Sequence, residues 1–318
     1  MCSMEDVRAA EGSSGLVVAS LFAGCGGSSL GYRLAGFRVA YANEWGPVPR
    51  RIYDLNKSVR TFVDDSDVRE VTGADIATIC GGVPDVLDGS PPCTSFSMQG
   101  NRDLDAGVEL YNEFVRLVGE LRPPAFVAEN VTGILMSGAK PRFAALLAAL
   151  RAHGYRIEFR VLDASMLGVA QKRKRVVVIG FREDTELDPV RAFPQPGPLH
   201  TIGDAIPDCV GLIVDESNSP TRRHLYLRDR VWPANKPLAT ITTRGPGPLS
   251  WHYVRVLLPN GSTHKVTPDD IRRLCGFPEG FDIGDAAFAT AALVYGNAVP
   301  PPMAASWATG VRDLLRRG

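Results

Sequence analysis

Leu16-Val17-Val18-Ala19-Ser20-Leu21-Phe22-Ala23-Gly24-Cys25-Gly26-Gly27-Ser28-Ser29-Leu30-Gly31 reads as a strand, a glycine turn and the first turns of a helix. The apolar run Leu16 to Leu21 supplies the strand. The glycines allow positive φ and close approach of a ligand to the backbone, and the free N–H groups of the following helix favour a negative group. The spacing is not the G-x-G-x-x-G of dinucleotide enzymes, which argues against a nicotinamide- or flavin-dependent oxidoreductase. Phe22, Gly24, Gly26 and Gly27 are candidate cofactor contacts.

Outward from this turn, the run Phe37 to Ala42 leads into Asn43-Glu44-Trp45. Glu44 lies 20 residues after Gly24, the separation at which an acidic side chain meets ribose hydroxyls in such folds. Trp45 is placed to stack on adenine, and Asp75-Ile76 to read its edge. The alternation of short apolar runs with helical periods continues to Phe181. Val108, Tyr111, Val115, Val118 and Leu121 share a helix face that ends at Pro123-Pro124, before a strand from Ala125 to Ala128. A second helix, Pro141 to His153, stops at Gly154. The expected fold class is α/β: a doubly wound, Rossmann-like, mostly parallel sheet with a second, smaller target-recognition domain. Ligands of such sheets sit at the carboxyl ends of the strands, where Gly24, Glu44, Cys93 and Glu129 fall.

Three further stretches stand beside predicted strands. Ser90-Pro91-Pro92-Cys93-Thr94-Ser95-Phe96-Ser97 follows Val86-Leu87, where a sheet-borne nucleophile would stand. Glu129-Asn130-Val131 closes one run, and Gln171-Lys172-Arg173-Lys174-Arg175 precedes another, Val176 to Phe181. Taken singly, Cys93 reads as a small buried hydrophobe, Glu129 as a surface carboxylate and Lys172 to Arg175 as a solvated charge run. Their joint order downstream of the glycine turn changes that reading.

The chain resembles the C5-cytosine DNA methyltransferases that use S-adenosylmethionine, and the matches run in the family's order from Phe22 to Pro301. They comprise the Phe-x-Gly-x-Gly-Gly loop, Glu44-Trp45, Asp75, Pro92-Cys93, Glu129-Asn130-Val131 and Gln171-x-Arg173-x-Arg175. Late in the chain come Pro237-Leu238-Ala239-Thr240-Ile241-Thr242 and Gly296-Asn297-Ala298-Val299-Pro300-Pro301. The common Phe-Pro-Cys-Gln is replaced by Pro91-Pro92-Cys93-Thr94, and Gly-Val-Pro-Gln by Gly168-Val169-Ala170-Gln171. The resemblance implies that Cys93 is a covalent nucleophile toward C6 of cytosine and that Glu129 is an acid at N3. It makes Arg175 a donor to O2, while Arg173 steadies the ring and its loop. The early loop, with Pro92 and Asn297-Ala298, would bind S-adenosylmethionine. Asn130, Gln171 and Thr242 join the substrate-contact candidates. So do Ser97 and Gln99, in a loop suited to close on a flipped base; Gln99 is either a replacement partner for the orphan guanine or a plain loop residue.

Composition agrees with an enzyme of this kind. The 318 residues are 45% hydrophobic and carry no net charge, so nucleic-acid binding has to come from local patches. Such a patch lies between Thr221 and Arg255, where seven basic residues stand against one acid. Arg222, Arg223, Arg228, Arg230 and Arg244 are the candidate DNA contacts, interleaved with Tyr226, Trp232, Trp251 and Tyr253. The plainer reading of this segment is a charged, solvated face over a small core. The six cysteines are scattered without C-x-x-C spacing, arguing for a reducing compartment and against structural zinc. No stretch of 18 apolar residues or signal segment is visible, so the expectation is a cytoplasmic, monomeric protein acting on duplex DNA, with no metal and no membrane. A cognate restriction endonuclease is a possible partner.

The expected organisation is a loose tail over 1–15, a catalytic and cofactor domain over 16–185, and a target-recognition domain over 186–265. A hinge over 266–288, with a capped helix from Thr267 to Arg273, leads to a segment over 289–318 that rejoins the first domain. Two alternatives share most of these features: a transfer-RNA cytosine methyltransferase, and a DNA-binding module that has lost catalysis.

Overall fold

A computed structural model describes residues 2–91, 104–136, 138–214, 232–243, 254–285 and 288–317. Its first helix, α1, is Met4–Ala10, and five β-α repeats follow. They begin with β1 (Val17–Leu21), α2 (Gly27–Leu34), β2 (Arg38–Asn43), α3 (Pro47–Asn56), β3 (Phe62–Asp64) and α4 (Gly73–Cys80). They continue with β4 (Val86–Gly89), α5 (Leu104–Leu121), β5 (Ala125–Val131) and α6 (Lys140–Ala152). Next come β6 (Tyr155–Asp163), β7 (Gln171–Lys172), β8 (Lys174–Arg182) and α7 (Ile202–Ala205). The later elements are β9 (Gly211–Val214), β10 (Trp232–Pro233), β11 (Leu238–Ala239), β12 (Val254–Leu257) and β13 (Thr263–Lys265), then α8 (Pro268–Leu274), α9 (Phe288–Asn297) and α10 (Pro301–Leu315).

The chain divides into two compact units. The larger comprises Glu5–Leu162, Lys174–Gln195 and Ala304–Gly318. Its seven-stranded sheet has the order β3-β2-β1-β4-β5-β8-β6. The first five strands are parallel, and β8 pairs antiparallel with β5, setting Glu129 opposite Val177 and Val131 opposite Arg175. Strand order reverses between β1 and β4, the place where open α/β sheets form their ligand crevice. The doubly wound, mostly parallel sheet is thus the one expected. β1, β4 and β5 are buried along nearly their whole length, which is why each opens on an apolar run, Val17-Val18-Ala19, Val86-Leu87 and Ala125 to Ala128. Phe114 on α5 meets Phe126 on β5 edge-on at 6.1 Å, and Phe126 meets Tyr155 at 5.1 Å. The face of α5 read from its spacing is the buried one at Tyr111, Val115, Val118 and Leu121.

The smaller unit comprises residues Met1–Met4, Asp163–Arg173 and Pro196–Met303. It contains an antiparallel sheet of order β10-β9-β12-β13 and a parallel pair, β7 with β11. Thr267 caps α8 through a reciprocal box with Asp270, as the Thr-x-x-Asp spacing signals. The chain returns to the larger unit at Ala304, later than the expected 289.

The loose tail is corrected. α1 forms because Val7 is fully buried, and the chain after it is tied down by an ion pair between Glu11 and Arg33 at 3.0 Å. A hydrogen bond from Ser14 Oγ to the Gly36 carbonyl adds a second tie. Among the described residues no helix is long and apolar enough to cross a membrane.

Candidate active site

In the larger unit the turn after β1 is built as its glycines suggest. Gly24 has φ +58° and Gly26 φ +92°, conformations that an L side chain adopts only with strain. A Cβ at Gly24 would meet nothing within 4 Å, so the backbone there is open to a ligand. Phe22 itself has φ +53°, a strained geometry held where the strand turns into the loop. Gly27 opens α2. From the end of β2, Glu44 reaches across to this turn. One carboxylate oxygen accepts the Gly24 N–H at 2.7 Å and the other accepts the Gly46 N–H at 2.6 Å. Burial raises its pKa above the ordinary carboxylate value, while those two N–H groups and Arg50 act the other way. Trp45 beside it is 67% exposed, a large indole face available for stacking.

Asp75 and Ile76 do different work from that expected. Thr72 caps α4, its hydroxyl accepting the Asp75 N–H at 3.2 Å and donating to the Asp75 carboxylate at 2.5 Å. Ile76 is sealed in the hydrophobic core. The edge of the crevice is instead formed where β3 ends beside β2: the Glu44 N–H bonds the Asp64 carbonyl at 3.0 Å, and exposed Asp65 pairs with Arg50. The sequence signal was weak there, because β3 is only three residues long and only partly covered.

At the far side of the reversal point, β5 and β8 bring Glu129 and Arg175 together. Arg175 Nε donates to Glu129 Oε1 at 2.8 Å, with both side chains mostly buried. Asn130 is buried next to Glu129. Its Nδ2 donates to the Pro91 carbonyl at 3.0 Å and its Oδ1 accepts the Val131 N–H. The Asn130 amide therefore holds the loop that leaves β4. Pro92, Cys93, Ser97 and Gln99 lie beyond Pro91, outside the described residues.

In the smaller unit Arg173 is 2% exposed. Its Nη1 donates to the carbonyls of Ile241 (3.1 Å) and Gly296 (3.0 Å), and its Nη2 to those of Asn297 (3.5 Å) and Ala298 (2.9 Å). Three of these carbonyls end α9, so the guanidinium neutralises the negative end of that helix and satisfies groups that would otherwise be orphaned. Gln171 is equally enclosed: its Oε1 accepts the Ile241 N–H at 3.1 Å, and its Nε2 donates to the Leu274 carbonyl at 3.4 Å. In this structure both Nη groups of Arg173 and both amide atoms of Gln171 are thus engaged by the backbone. Gly296 has no room for a side chain: a Cβ would lie 2.5 Å from the Thr242 backbone. Thr242 thus lines this clamp, while Asn297 is exposed and Ala298 half-buried. Arg222, Arg223, Arg228, Arg230 and Arg244 lie outside the described residues.

A glycine turn braced by a strand-end glutamate and a buried glutamate-arginine pair beside the Pro91 loop are in place, and the family's sequence profile, described as C-5 cytosine-specific DNA methylase, matches residues 16–245. The chain belongs to that family. It is 36% identical over 217 residues to the Type II methyltransferase M.XorII of Xanthomonas oryzae, a match covering 66% of this chain and 49% of that protein. It is 29% identical to the Type II methyltransferase M.AplI of Arthrospira platensis, covering 95% of this chain and 87% of the relative. The chain therefore spans about half of the first relative and most of the second. A DNMT2 structure from Spodoptera frugiperda superposes with a TM-score of 0.70, covering 95% of this chain and 98% of that one. At 16% identity this likeness speaks for the fold alone.

The clamp in this methylase makes a stability prediction. Arg173→Ala leaves several buried carbonyls without a donor and is expected to destabilise the smaller unit by about 3 kcal/mol. Arg173→Lys is expected to recover little, since a single ammonium cannot span the fork. Thermal denaturation of the three proteins checks this, and an unchanged midpoint for Arg173→Ala would remove the clamp.

Proposed function

We propose that this methylase transfers the methyl group of S-adenosylmethionine to C5 of a cytosine turned out of duplex DNA at a specific sequence, through a covalent bond between Cys93 and C6. The observation that carries the reading is the buried Glu129–Arg175 pair, next to the Asn130–Pro91 hydrogen bond at the root of the Cys93 loop. C5 of cytosine is a poor nucleophile until a group adds at C6. A thiolate suits that addition because it is strongly nucleophilic even when only a small fraction of the thiol is ionised. As the Cys93 S–C6 bond forms, charge moves toward N3, where Glu129 donates a hydrogen bond or proton, while Arg175 orients Glu129 and donates to O2. The electron pair released to C5 would form the new C–CH3 bond as the sulfonium S–CH3 bond breaks, its electrons leaving on the thioether S-adenosylhomocysteine. Loss of the C5 proton to a base then expels Cys93 as thiolate, and return of the N3 proton to Glu129 restores the chain to its starting state.

The open glycine turn, Glu44 and the exposed Trp45 fit S-adenosylmethionine, which when bound supplies an electrophilic methyl group. In that reading Glu44 fixes the turn and meets ribose, while Trp45 stacks on adenine. The basic segment containing Arg222, Arg223, Arg228, Arg230 and Arg244 grips phosphates and reads base edges, and the cost of extruding the base, a few kcal/mol, is offset by those contacts. The Type II methyltransferase names of the relatives support a DNA-modification role, which in this reading the chain performs as an intracellular monomer beside a restriction endonuclease.

Incubation of the purified chain with methyl-labelled S-adenosylmethionine and either duplex DNA or transfer RNA tests the assignment, with bisulfite sequencing locating the modified base. Label in duplex DNA, on cytosines of one recurrent sequence, is the expected result. Label confined to transfer RNA would overturn the DNA assignment.

A further inference from the structure

Asp88 is the penultimate residue of β4 and sits beside Ser20 of β1, at the point where strand order reverses. Its Oδ2 accepts hydrogen bonds from Ser28 Oγ at 2.7 Å and from Ser20 Oγ at 3.2 Å. The carboxyl therefore forms the floor under the first turn of α2. One turn further along α2, the Tyr32 hydroxyl is buried without a hydrogen-bond partner of its own among the described residues and feels the charge of the same carboxyl. Asp88 is 2% exposed, and among the described residues no cationic side chain pairs with it. The charged group facing it from the neighbouring strand is Glu129, of the same sign and itself held by Arg175. From α3 the buried Tyr53 hydroxyl also feels its charge.

A buried carboxylate with hydroxyl partners and no counter-ion is costly. Burial pushes the Asp88 carboxyl up to about 7; the hydroxyls of Ser28, Ser20 and Tyr32 pull it down and Glu129 pushes it further up. Such a group has a physical rationale if its counter-charge arrives with a ligand. Ser28, which holds this carboxyl, stands in the first turn of the helix that the open glycine turn leads into, and Glu44 braces that turn at Gly24, so the ligand in question is the one that the turn admits.

We infer that Asp88 is a specificity-determining residue of the cofactor site: a buried carboxylate that favours the sulfonium cation of S-adenosylmethionine over the neutral thioether of S-adenosylhomocysteine. This rests on reading the glycine turn as the S-adenosylmethionine site. The two molecules share adenine, ribose, amino and carboxylate groups, so Glu44 and Trp45 act on both alike. They differ in one charge and one methyl group. In a low-dielectric floor that charge is felt without direct contact, and the serine hydroxyls hold the carboxylate in place, so little reorganisation is required. Binding the cation favours the deprotonated carboxylate, whereas binding the thioether does not. Affinity for the methyl donor therefore falls as pH drops through neutrality, affinity for the product does not follow it, and product inhibition is weakest at mildly alkaline pH.

Calorimetry of the full chain with each compound separately, at pH 6, 7 and 8, tests the inference. If the sulfonium lowers the Asp88 pKa by one unit, the preference for donor over product rises about fivefold between pH 6 and pH 8. Ser28→Ala, which removes a hydrogen bond but leaves the charge, keeps the rise. Asp88→Asn flattens it and lowers the preference at pH 8. A wild-type preference that is constant with pH overturns the inference whatever the variants do, and so does an Asp88→Asn protein with the wild-type slope. A wild-type chain that binds neither compound at any pH overturns the cofactor reading itself, a result distinguishable by the absence of heat in every titration.

Discussion

Cys93→Ser is expected to lower methyl transfer by at least about a thousandfold, the scale on which loss of a nucleophile acts. It is also expected to abolish the adduct with duplex DNA carrying 5-fluorocytosine. The effect is large because a serine hydroxyl has no comparable ionised fraction near neutral pH and no general base beside it in the proposed mechanism. Fluorine at C5 prevents the final elimination, so a wild-type chain accumulates as a covalent complex that survives denaturation. Binding of cofactor and DNA is expected to persist in Cys93→Ser. A variant that methylates at a near-normal rate, or a wild-type chain that forms no trapped complex, would sink the covalent mechanism.

Glu129→Gln is expected to lower kcat by about 10² to 10⁴, the range contributed by a positioned general acid. Glutamine preserves the size of the side chain and can still accept from Arg175 Nε, which lies 2.8 Å from Glu129 Oε1. It cannot deliver a proton to N3. Because Arg175 then loses its buried counter-ion, some stability is lost as well, and the thermal midpoint has to be measured alongside turnover at a temperature where both proteins are folded. Near-normal kcat in folded Glu129→Gln would exclude Glu129 as the acid.

The sequence was most legible where buried apolar runs alternate with helical periods. β1, β4 and β5 are buried along nearly their whole length and so announce themselves, and Gly24 after β1, Glu44 after β2 and Glu129 near the end of β5 could be placed at strand ends. Legibility failed where local chemistry competes with a motif. Asp75 looks like a strand-end acid, but Thr72 three residues earlier makes it part of a helix cap. Gln171 and Arg173 sit in what reads as a charge run. Nothing local reveals that their side chains point inward onto carbonyl and N–H groups 68 to 125 positions further along the chain. Asp88 was missed for a related reason: an aspartate before Gly89-Ser90-Pro91 resembles the start of a loop, and its burial depends on Ser20 and Ser28, more than 50 residues earlier.

The reach of Arg173 also bears on when the protein becomes whole during synthesis. Its farthest clamped carbonyl, that of Ala298, lies 125 residues downstream. At translation rates of about 5 to 20 residues per second, the arginine is added to the chain roughly 6 to 25 s before that partner is. Throughout that interval the smaller unit lacks the contacts that close it, whereas β1 to β5 of the larger sheet are already made. A nascent chain thus passes through a stage with a formed parallel sheet and an unclosed second unit.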